Sequence, residues 1–153
     1  MSGTGDHKAG WGYAVEGRPS PLLQAALRAH QRRNGAGAAL PAAEGDAAAW
    51  VRRIAEALRD GLCRAAVVFC HDPGLACCIA NKVPGVRCLA VDTLEQARRA
   101  IGRWRANLLV VDPNRRTYFE CRELLRLCQE SVTADCPASV AGVLRELDGH
   151  AHR

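Results

Sequence analysis

Aromatic residues are scarce in this sequence. Only 5% of its 153 residues are Phe, Trp or Tyr, although 48% are apolar. A buried core must therefore be built from Ala, Val, Leu and Cys, which suits close packing of helices against a sheet. The scarcity also argues against nucleic-acid binding, because surfaces that bind nucleic acid interleave basic residues with stacking aromatic rings.

Long apolar segments are missing as well. No run approaches the roughly 20 residues that a membrane-spanning helix needs, and the first ten residues lack the apolar stretch of an export signal. We therefore expect a soluble cytoplasmic protein that does not bind membranes. In that reducing compartment the eight cysteines are expected to stay free thiols rather than form a disulfide framework.

The cysteines also lack the spacing of a metal site. No Cys-x-x-Cys pair occurs, and Cys121 and Cys128 would lie about 10 Å apart along a helix axis, too far to share one ion. We predict neither a metal site nor a cofactor. Most of the cysteines are instead expected to be small buried apolar residues. These are Cys63, Cys77, Cys78, Cys88, Cys121 and Cys128.

Positive charge exceeds negative charge, and Arg supplies nearly all of the formal net charge of +5. A guanidinium group can bind phosphate through two parallel hydrogen bonds, so the excess is compatible with a phosphorylated small molecule. It is equally compatible with a solvated surface. The charge alone does not decide between these two interpretations.

One domain, residues 11–148, accounts for the chain, with residues 1–10 and 149–153 predicted to be disordered tails. Asp46 and Thr93 are predicted to cap two helices. Apolar runs predict strands, and apolar residues at helical spacing predict helices. The predicted strands are residues 11–15, 65–69, 86–91 and 108–111, with a weak edge strand at 38–40. The predicted helices are residues 22–33, 46–60, 94–105, 116–130 and a last one from Pro137.

Continuous apolar runs such as Val67-Val68-Phe69 are typical of strands that are covered on both faces of a parallel sheet. Their alternation with helices predicts an α/β fold, a three-layer α-β-α sandwich around a doubly wound, mostly parallel sheet of about five strands. The topology is expected to be flavodoxin-like, with an extra C-terminal helix. The predicted buried stripe of that helix is Val140, Val143, Leu144 and Leu147.

One part of the chain carries a more specific signal. Val67-Val68-Phe69-Cys70 is followed by a short loop, then by Ile79-Ala80-Asn81-Lys82-Val83-Pro84-Gly85-Val86-Arg87, and later by Ala106-Asn107-Leu108. This resembles the core of the ribose-5-phosphate isomerase B and galactose-6-phosphate isomerase (LacAB) family, in which an apolar strand delivers a Cys eleven positions before an Asn. Cys70 and Asn81 have the same spacing. The order of strands and helices matches the family over roughly residues 11–147.

The resemblance implies interconversion of an aldose and a ketose phosphate by proton movement between neighbouring carbons. It implies that Cys70 is the catalytic base, with its pKa lowered by the helix that follows. It also implies a phosphorylated sugar or a related small anion as ligand, and a homodimer, or alternatively a tetramer, with sites between subunits. The expected substrate-binding residues are His71, Asp72, Gly74, Leu75, Asn81, Arg18, Arg103 and Trp104.

The loop after Cys70 departs from the family pattern. The family loop is rich in Gly, whereas residues 71–75 read His-Asp-Pro-Gly-Leu. Pro73 has no N–H to donate, and Leu75 stands where a Gly would allow close approach of the backbone. Asp72 places a negative charge beside a site that should hold an anion. An anionic enediolate would be poorly stabilised there.

Two further pairs of family residues are replaced. Arg103 and Trp104 stand where the resemblance expects a His-Asn pair, and Gly17 and Arg18 stand where it expects Asp-His after the first strand. No histidine lies between residues 71 and 150, so no shift of the alignment restores the ring-opening His. Arg18, Arg103, Arg115 and Arg116 remain alternative candidates for holding a phosphate.

Two functions follow from these residues. The first is a divergent sugar-phosphate isomerase with altered or lost activity, and the second is a non-catalytic binding or assembly module that keeps the isomerase fold. Smaller alternatives also stay open. Cys70 either faces a pocket, alone or coupled to His71, or merely closes a strand. Trp104 either stacks on a sugar or packs beside Ile101.

Overall fold

The computed structural model of this protein describes residues 10–131 and 136–150. The strands are β1 (Trp11–Val15), β2 (Ala38–Ala39), β3 (Ala65–Phe69), β4 (Cys88–Ala90) and β5 (Leu108–Val111). The helices are α1 (Pro21–Asn34), α2 (Ala47–Arg59), α3 (Pro73–Ala80), α4 (Leu94–Gly102), α5 (Tyr118–Glu130) and α6 (Ala138–His150). Within the described ranges, no helix is long and apolar enough to cross a membrane.

The five strands form one sheet in the order β2-β1-β3-β5-β4, and every pairing is parallel. The predicted α/β sandwich is confirmed. After β3 the chain forms the outer strand β4, and β5, which comes next in the sequence, lies between β3 and β4 in the sheet. The last two strands are therefore exchanged relative to the 2-1-3-4-5 order of flavodoxin itself.

Each face of the sheet carries its own hydrophobic core. Ala65, Val67 and Phe69 of β3 pack with α1, α4 and α5 on one face. Ala66, Val68 and the following Cys70 pack with α2 and α3 on the other face. Successive side chains of a strand point to opposite faces, so the central strand is buried along its whole length, as its continuous apolar run predicts.

Side-chain caps fix where the helices begin. The Asp46 carboxylate accepts a hydrogen bond from the Ala48 N–H at the start of α2, which confirms the predicted cap. Thr93 and Gln96 form the predicted capping box of α4, in which each side chain bonds a backbone N–H of the other's segment. Both helices are strongly amphipathic, and each packs its apolar face against the sheet. Trp50 of α2 is only 1% exposed.

Several predicted boundaries at the periphery are wrong. β4 is only Cys88–Ala90 rather than residues 86–91, and α4 ends at Gly102 rather than near Arg105. Trp104 therefore lies in the turn after the helix, with 43% of its surface exposed. The predicted tails lie outside the described residues, except for Gly10 at one end and for residues 149–150, which belong to α6.

The predicted buried stripe of α6 is also wrong in part. Val143 and Leu147 are 56% and 60% exposed, whereas Val140 and Leu144 are partly covered. The physical reason is that α6 lies at the periphery and is not one of the layers that cover the sheet. Its described attachment includes the Asp148 carboxylate, which accepts a hydrogen bond from the Gly85 N–H at 3.0 Å.

Candidate active site

The carboxyl ends of parallel strands meet at one edge of a sheet, and polar segments follow four of the strands there. They are residues 16–18 after β1, 70–72 after β3, 92–93 after β4 and 112–116 after β5. Because β3 is the central strand, its segment lies in the middle of this carboxyl edge. The predicted site residues found here are Arg18, Cys70, His71, Asp72, Gly74 and Leu75.

Cys70 is buried at this edge and packs into the core beneath α3. It is only 1% exposed, and its sulfur accepts a hydrogen bond from the Asp72 N–H. Burial, and then the negative charges of Glu16 and Asp112, raise its pKa to about 12. The expected lowering of its pKa is therefore wrong, because loss of solvation outweighs the hydrogen bond. At neutral pH this residue is a protonated thiol.

The carboxylate of the residue just before α3 caps the start of this helix. Asp72 is the N-cap, and its Oδ1 accepts a hydrogen bond from the Leu75 N–H at 3.1 Å. Pro73 has no N–H. A Cβ placed on Gly74 would lie 3.7 Å from Asp72 Oδ1, an ordinary contact, so packing does not require a glycine here. Two of the first three residues of this helix therefore offer no free N–H to an anion, and a negative charge lies beside them.

His71 does not form a couple with Cys70 in this structure. Its exposed ring lies toward Glu16, with 3.9 Å between His71 Nε2 and Glu16 Oε1. The acidic side chains Glu16, Asp72 and Asp112 all act on the Cys70 thiol. Arg18 is exposed in the connection that leads to α1. The immediate surroundings of Cys70 are therefore acidic rather than suited to an anionic ligand.

Arg116, a further candidate for holding phosphate, is engaged with the protein itself. Its side chain is 12% exposed, and its Nη2 lies 2.5 Å from Asp92 Oδ1. Its Nε donates to the Asp112 carbonyl at 3.2 Å, and its Nη1 lies 3.6 Å from Glu120 Oε2. Arg116 thus joins the ends of β4 and β5 to the start of α5. A cavity of about 620 Å³ beside it is lined by Asp92, Asp112, Asn114, Arg115 and Arg116.

The other predicted site residues lie at the opposite, amino edge of the sheet. Asn81 follows the end of α3, and Arg103 and Trp104 lie between α4 and β5. The four residues of β5 separate the two edges by about 13 Å at a rise of about 3.3 Å per residue. A single chain therefore does not bring Arg103 or Trp104 to Cys70.

Asn81 is engaged with the backbone of the outer strand. Its Oδ1 accepts from the Cys88 N–H at 2.7 Å, and its Nδ2 donates to the Cys88 carbonyl at 2.8 Å. Asn107 does the same for the preceding segment, accepting from the Arg87 N–H at 2.7 Å and donating to the Gly85 carbonyl at 2.9 Å. Both asparagines therefore support residues 85–88, a structural role that sequence reasoning missed.

A second cavity, of about 530 Å³, lies between the outer strand β4 and helix α6. Apolar side chains that include Val86, Leu89 and Leu144 line it together with the exposed Trp104. Sequence reasoning missed it, because helical periodicity does not reveal where a terminal helix docks. The available signal was a large aromatic residue, Trp104, near the end of a predicted helix. Among the residues that the structure describes, no three His, Cys, Asp or Glu side chains are grouped to hold a metal ion.

Comparison with known proteins points to one family, both by sequence and by structure. A family model described as Ribose/Galactose Isomerase matches residues 28–123, which is more than half of the chain. No curated protein sequence matches the chain.

Solved structures of ribose-5-phosphate isomerase B are similar to this one over nearly the whole chain. The protein from Clostridium thermocellum matches with a TM-score of 0.68 and 18% identity, covering 93% of this chain and 97% of that one. The protein from Thermotoga maritima gives 0.65 and 15%, covering 94% and 99%. A mutant of the type B enzyme from Trypanosoma cruzi gives 0.70 and 15%, covering 95% and 99%. At such identities these likenesses show the fold.

Proposed function

This chain belongs to the ribose/galactose isomerase family, and from that premise we propose that it is a divergent member in which aldose–ketose isomerisation of a sugar phosphate is altered or lost. The observation that supports this most directly is the burial of Cys70, whose pKa is raised to about 12. A proton on carbon must be removed by a base. At pH 7 a thiol with this pKa is a thiolate in roughly one molecule in 10⁵.

The loop after Cys70 supports the same proposal. The reaction passes through an anionic enediolate, which needs N–H donors aimed at the developing charge. Here the Leu75 N–H already bonds Asp72, and Pro73 offers no donor. Two like charges at 4 Å repel by about 1 to 4 kcal/mol between the dielectric of water and that of a protein surface. The Asp72 carboxylate would therefore weaken the binding of an anion.

The division of the predicted residues between two edges supports a homodimer as part of the proposal. Arg103 and Trp104 lie at the amino edge, so they can complete a site only at the carboxyl edge of a second copy. Such a site would contain an Arg and an aromatic ring where the resemblance expects the His-Asn pair. The proposed ligand is a phosphorylated sugar or a related small anion.

The test is to incubate the purified protein with ribose 5-phosphate and, separately, with allose 6-phosphate, and to measure ketose formation. We expect no turnover above the rate without protein, in the wild type and in Cys70→Ala alike. The matched control is Cys63→Ala, which removes another buried thiol of the same core. Turnover at an ordinary enzymatic rate of about 1 to 10³ s⁻¹ that is abolished only by Cys70→Ala would overturn the proposal.

A second candidate function is a binding or assembly module, favoured by the apolar side chains at the amino edge and on α6. Trp104, Val143 and Leu147 are 43%, 56% and 60% exposed. Val143 and Leu147 lie one turn apart on α6, and contiguous exposed apolar side chains are typical of interaction surfaces. Sedimentation of the wild type and of Leu147→Ser over a range of concentrations tests this. A dimer that dissociates in the variant supports assembly through α6, and an unchanged monomer counts against it.

A further inference from the structure

Two thiols lie together where α3 packs on the outer strand β4, away from the carboxyl edge. Cys77 Sγ donates a hydrogen bond to the Cys88 carbonyl at 3.2 Å, and both residues belong to or pack against the core between the sheet and α3. Asn81 lies over both residues, with its Nδ2 3.4 Å from Cys77 Sγ and its amide bonded to the Cys88 backbone. The pair is therefore held in place by several independent contacts.

The two thiols differ in how exposed they are. Cys77 is partly exposed, whereas Cys88 is only 2% exposed and belongs to the core between the sheet and α3. All eight cysteines of the chain are free thiols. The expectation that Cys77 and Cys78 are buried is wrong, since the first is partly exposed and the second is exposed. A partly exposed cysteine is thus backed by a buried one.

The two thiols differ in acidity. The neighbouring Cys88 thiol, the Ala90 N–H and the Asn81 side chain lower the pKa of Cys77 to about 6, against the effect of burial. The neighbouring Cys77 thiol and burial raise the pKa of Cys88. The first proton therefore leaves Cys77, which becomes a thiolate beside the Cys88 thiol. A thiolate is the form that attacks peroxides and disulfides.

From this arrangement we propose that Cys77 and Cys88 are a reversible disulfide-forming pair that responds to hydroperoxides. The partly exposed Cys77 carries the sulfur that the oxidant attacks, and the buried Cys88 is the resolving thiol behind it. Formation of the bond closes the loop of residues 77–88 and ties α3 covalently to β4. This is a site of covalent modification separate from sugar-phosphate chemistry.

The chemistry balances with hydrogen peroxide as the oxidant. The Cys77 thiolate attacks one peroxide oxygen, an S–O bond forms as the O–O bond breaks, and the leaving hydroxide takes up a proton as water. The Cys88 sulfur then attacks the sulfenic sulfur of Cys77. The S–S bond forms, the S–O bond breaks, and the hydroxyl group leaves with the Cys88 proton as a second water. Two electrons pass from the two sulfurs to the peroxide.

The full-length reduced protein is treated with equimolar hydrogen peroxide, quenched with N-ethylmaleimide in denaturant and digested with trypsin. Cleavage after Lys82 and Arg87 places Cys77 in peptide 65–82, together with Cys70 and Cys78, and Cys88 in peptide 88–98, so fragment ions of the joined peptides identify the linked sulfur. We expect these peptides joined, lighter by two hydrogens than their sum and separated by reductant, with Cys78 still labelled. The melting temperature should rise by roughly 5 to 10 °C on oxidation, because a short loop has been closed.

Neighbouring cysteines provide matched variants on the same helix. The cross-link should survive in Cys78→Ser and be lost in Cys77→Ser. In Cys88→Ser, Cys77 should accumulate as a sulfenic acid that dimedone traps. Both sulfurs remaining alkylated after peroxide treatment would overturn the proposal. A link from Cys88 to Cys70 or Cys78 instead would also overturn it. The wild-type mapping needs no variant, so a folding defect in a serine variant leaves the test decisive.

Discussion

At the scale of single residues, Asp72 has two opposing effects. Its carboxylate caps α3 through the Leu75 N–H, which stabilises the helix. The same carboxylate is one of the charges that raise the pKa of the Cys70 thiol. Helix stability and anion binding therefore compete for one side chain. The competition can be separated experimentally, because Asn caps a helix as well as Asp does but carries no charge.

Asp72→Asn should change the free energy of unfolding by well under 1 kcal/mol, whereas Asp72→Ala should cost about 1 kcal/mol through loss of the cap. Removal of the charge should tighten binding of ribose 5-phosphate by about fivefold, the factor that corresponds to about 1 kcal/mol of repulsion. Titration calorimetry and urea unfolding measure the two effects. Equal affinity in the wild type and in Asp72→Asn would show that the acid does not control the anion site.

Only part of the site was predictable at this scale. Spacing places Cys70 after the central strand, and the identities of Pro73 and Leu75 indicate a changed anion loop. The burial of Cys70 was not predictable, because the direction of a side chain at a strand end depends on which helix packs above it. Likewise, nothing in the sequence shows that the Asn81 amide bonds the Cys88 backbone across seven positions.

At the scale of elements, Arg116 joins three of them. It bonds Asp92 after β4, the Asp112 carbonyl after β5 and, more distantly, Glu120 in α5. Its low exposure distinguishes it from the other ion pairs of this protein, most of whose arginines are well exposed and whose contributions to stability are therefore small.

Arg116→Met should lower the free energy of unfolding by about 1 to 3 kcal/mol, because hydrogen bonds of a largely buried charge are lost. The control is Arg115→Met at the adjacent exposed position, which has a positive φ of 60°. The variant keeps a non-glycine residue there, so its backbone strain is unchanged and its effect should stay within about 0.5 kcal/mol. Urea unfolding of both variants measures the difference, and equal losses would rule out the joining role of Arg116.

The existence of most elements was predictable, and their ends were less so. Caps with a side-chain signature, such as Asp46 and Thr93, were placed correctly because the capping bond is local. The end of α4 and the extent of β4 depend on contacts from distant parts of the chain. For α6, helical periodicity indicated an apolar stripe. Periodicity does not show which residues of that stripe contact the rest of the protein and which stay exposed.

At the scale of the whole molecule, the sandwich follows from alternating strands and helices, but the order of the strands does not. β4 and β5 are both short apolar runs, and either could pair with β3. β5 takes that place, and all four of its residues are buried, whereas only Cys88 of β4 is. The interior position is buried on both faces, which suits the larger apolar residues of β5 better than the Cys-Leu-Ala of β4. That choice is made by packing of the complete chain.

The buried thiols make the whole molecule sensitive to alkaline pH. Burial raises the pKa of Cys63 to about 11 and that of Cys70 to about 12, and it also raises those of Cys121 and Cys128. Above a pH of about 9 the unfolded chain loses protons that the folded chain keeps. Folding stability should therefore fall as pH rises, by up to about 1.4 kcal/mol per pH unit for each thiol. Cys77 does not oppose this decline, because the contribution of its lowered pKa is already complete there.

Urea unfolding under reducing conditions at pH 8, 9, 10 and 11 measures this decline. Between pH 10 and 11, Cys70→Ala should reduce the fall of the unfolding free energy with pH by the contribution of one thiol. Cys78→Ala, at an exposed position, should leave this fall unchanged. A slope that is the same in Cys70→Ala as in the wild type would contradict the raised pKa.

The amide of Asn81 has a consequence for how copies of this chain meet. The outward N–H and carbonyl of Cys88 are both bonded to Asn81, and β4 is only three residues long. An extended segment from another molecule therefore finds those two pairing groups occupied. At the opposite border, β2 offers just two residues. The fold thus resists fibril growth by strand addition, even though its interior strands would be strongly aggregation-prone if the chain opened.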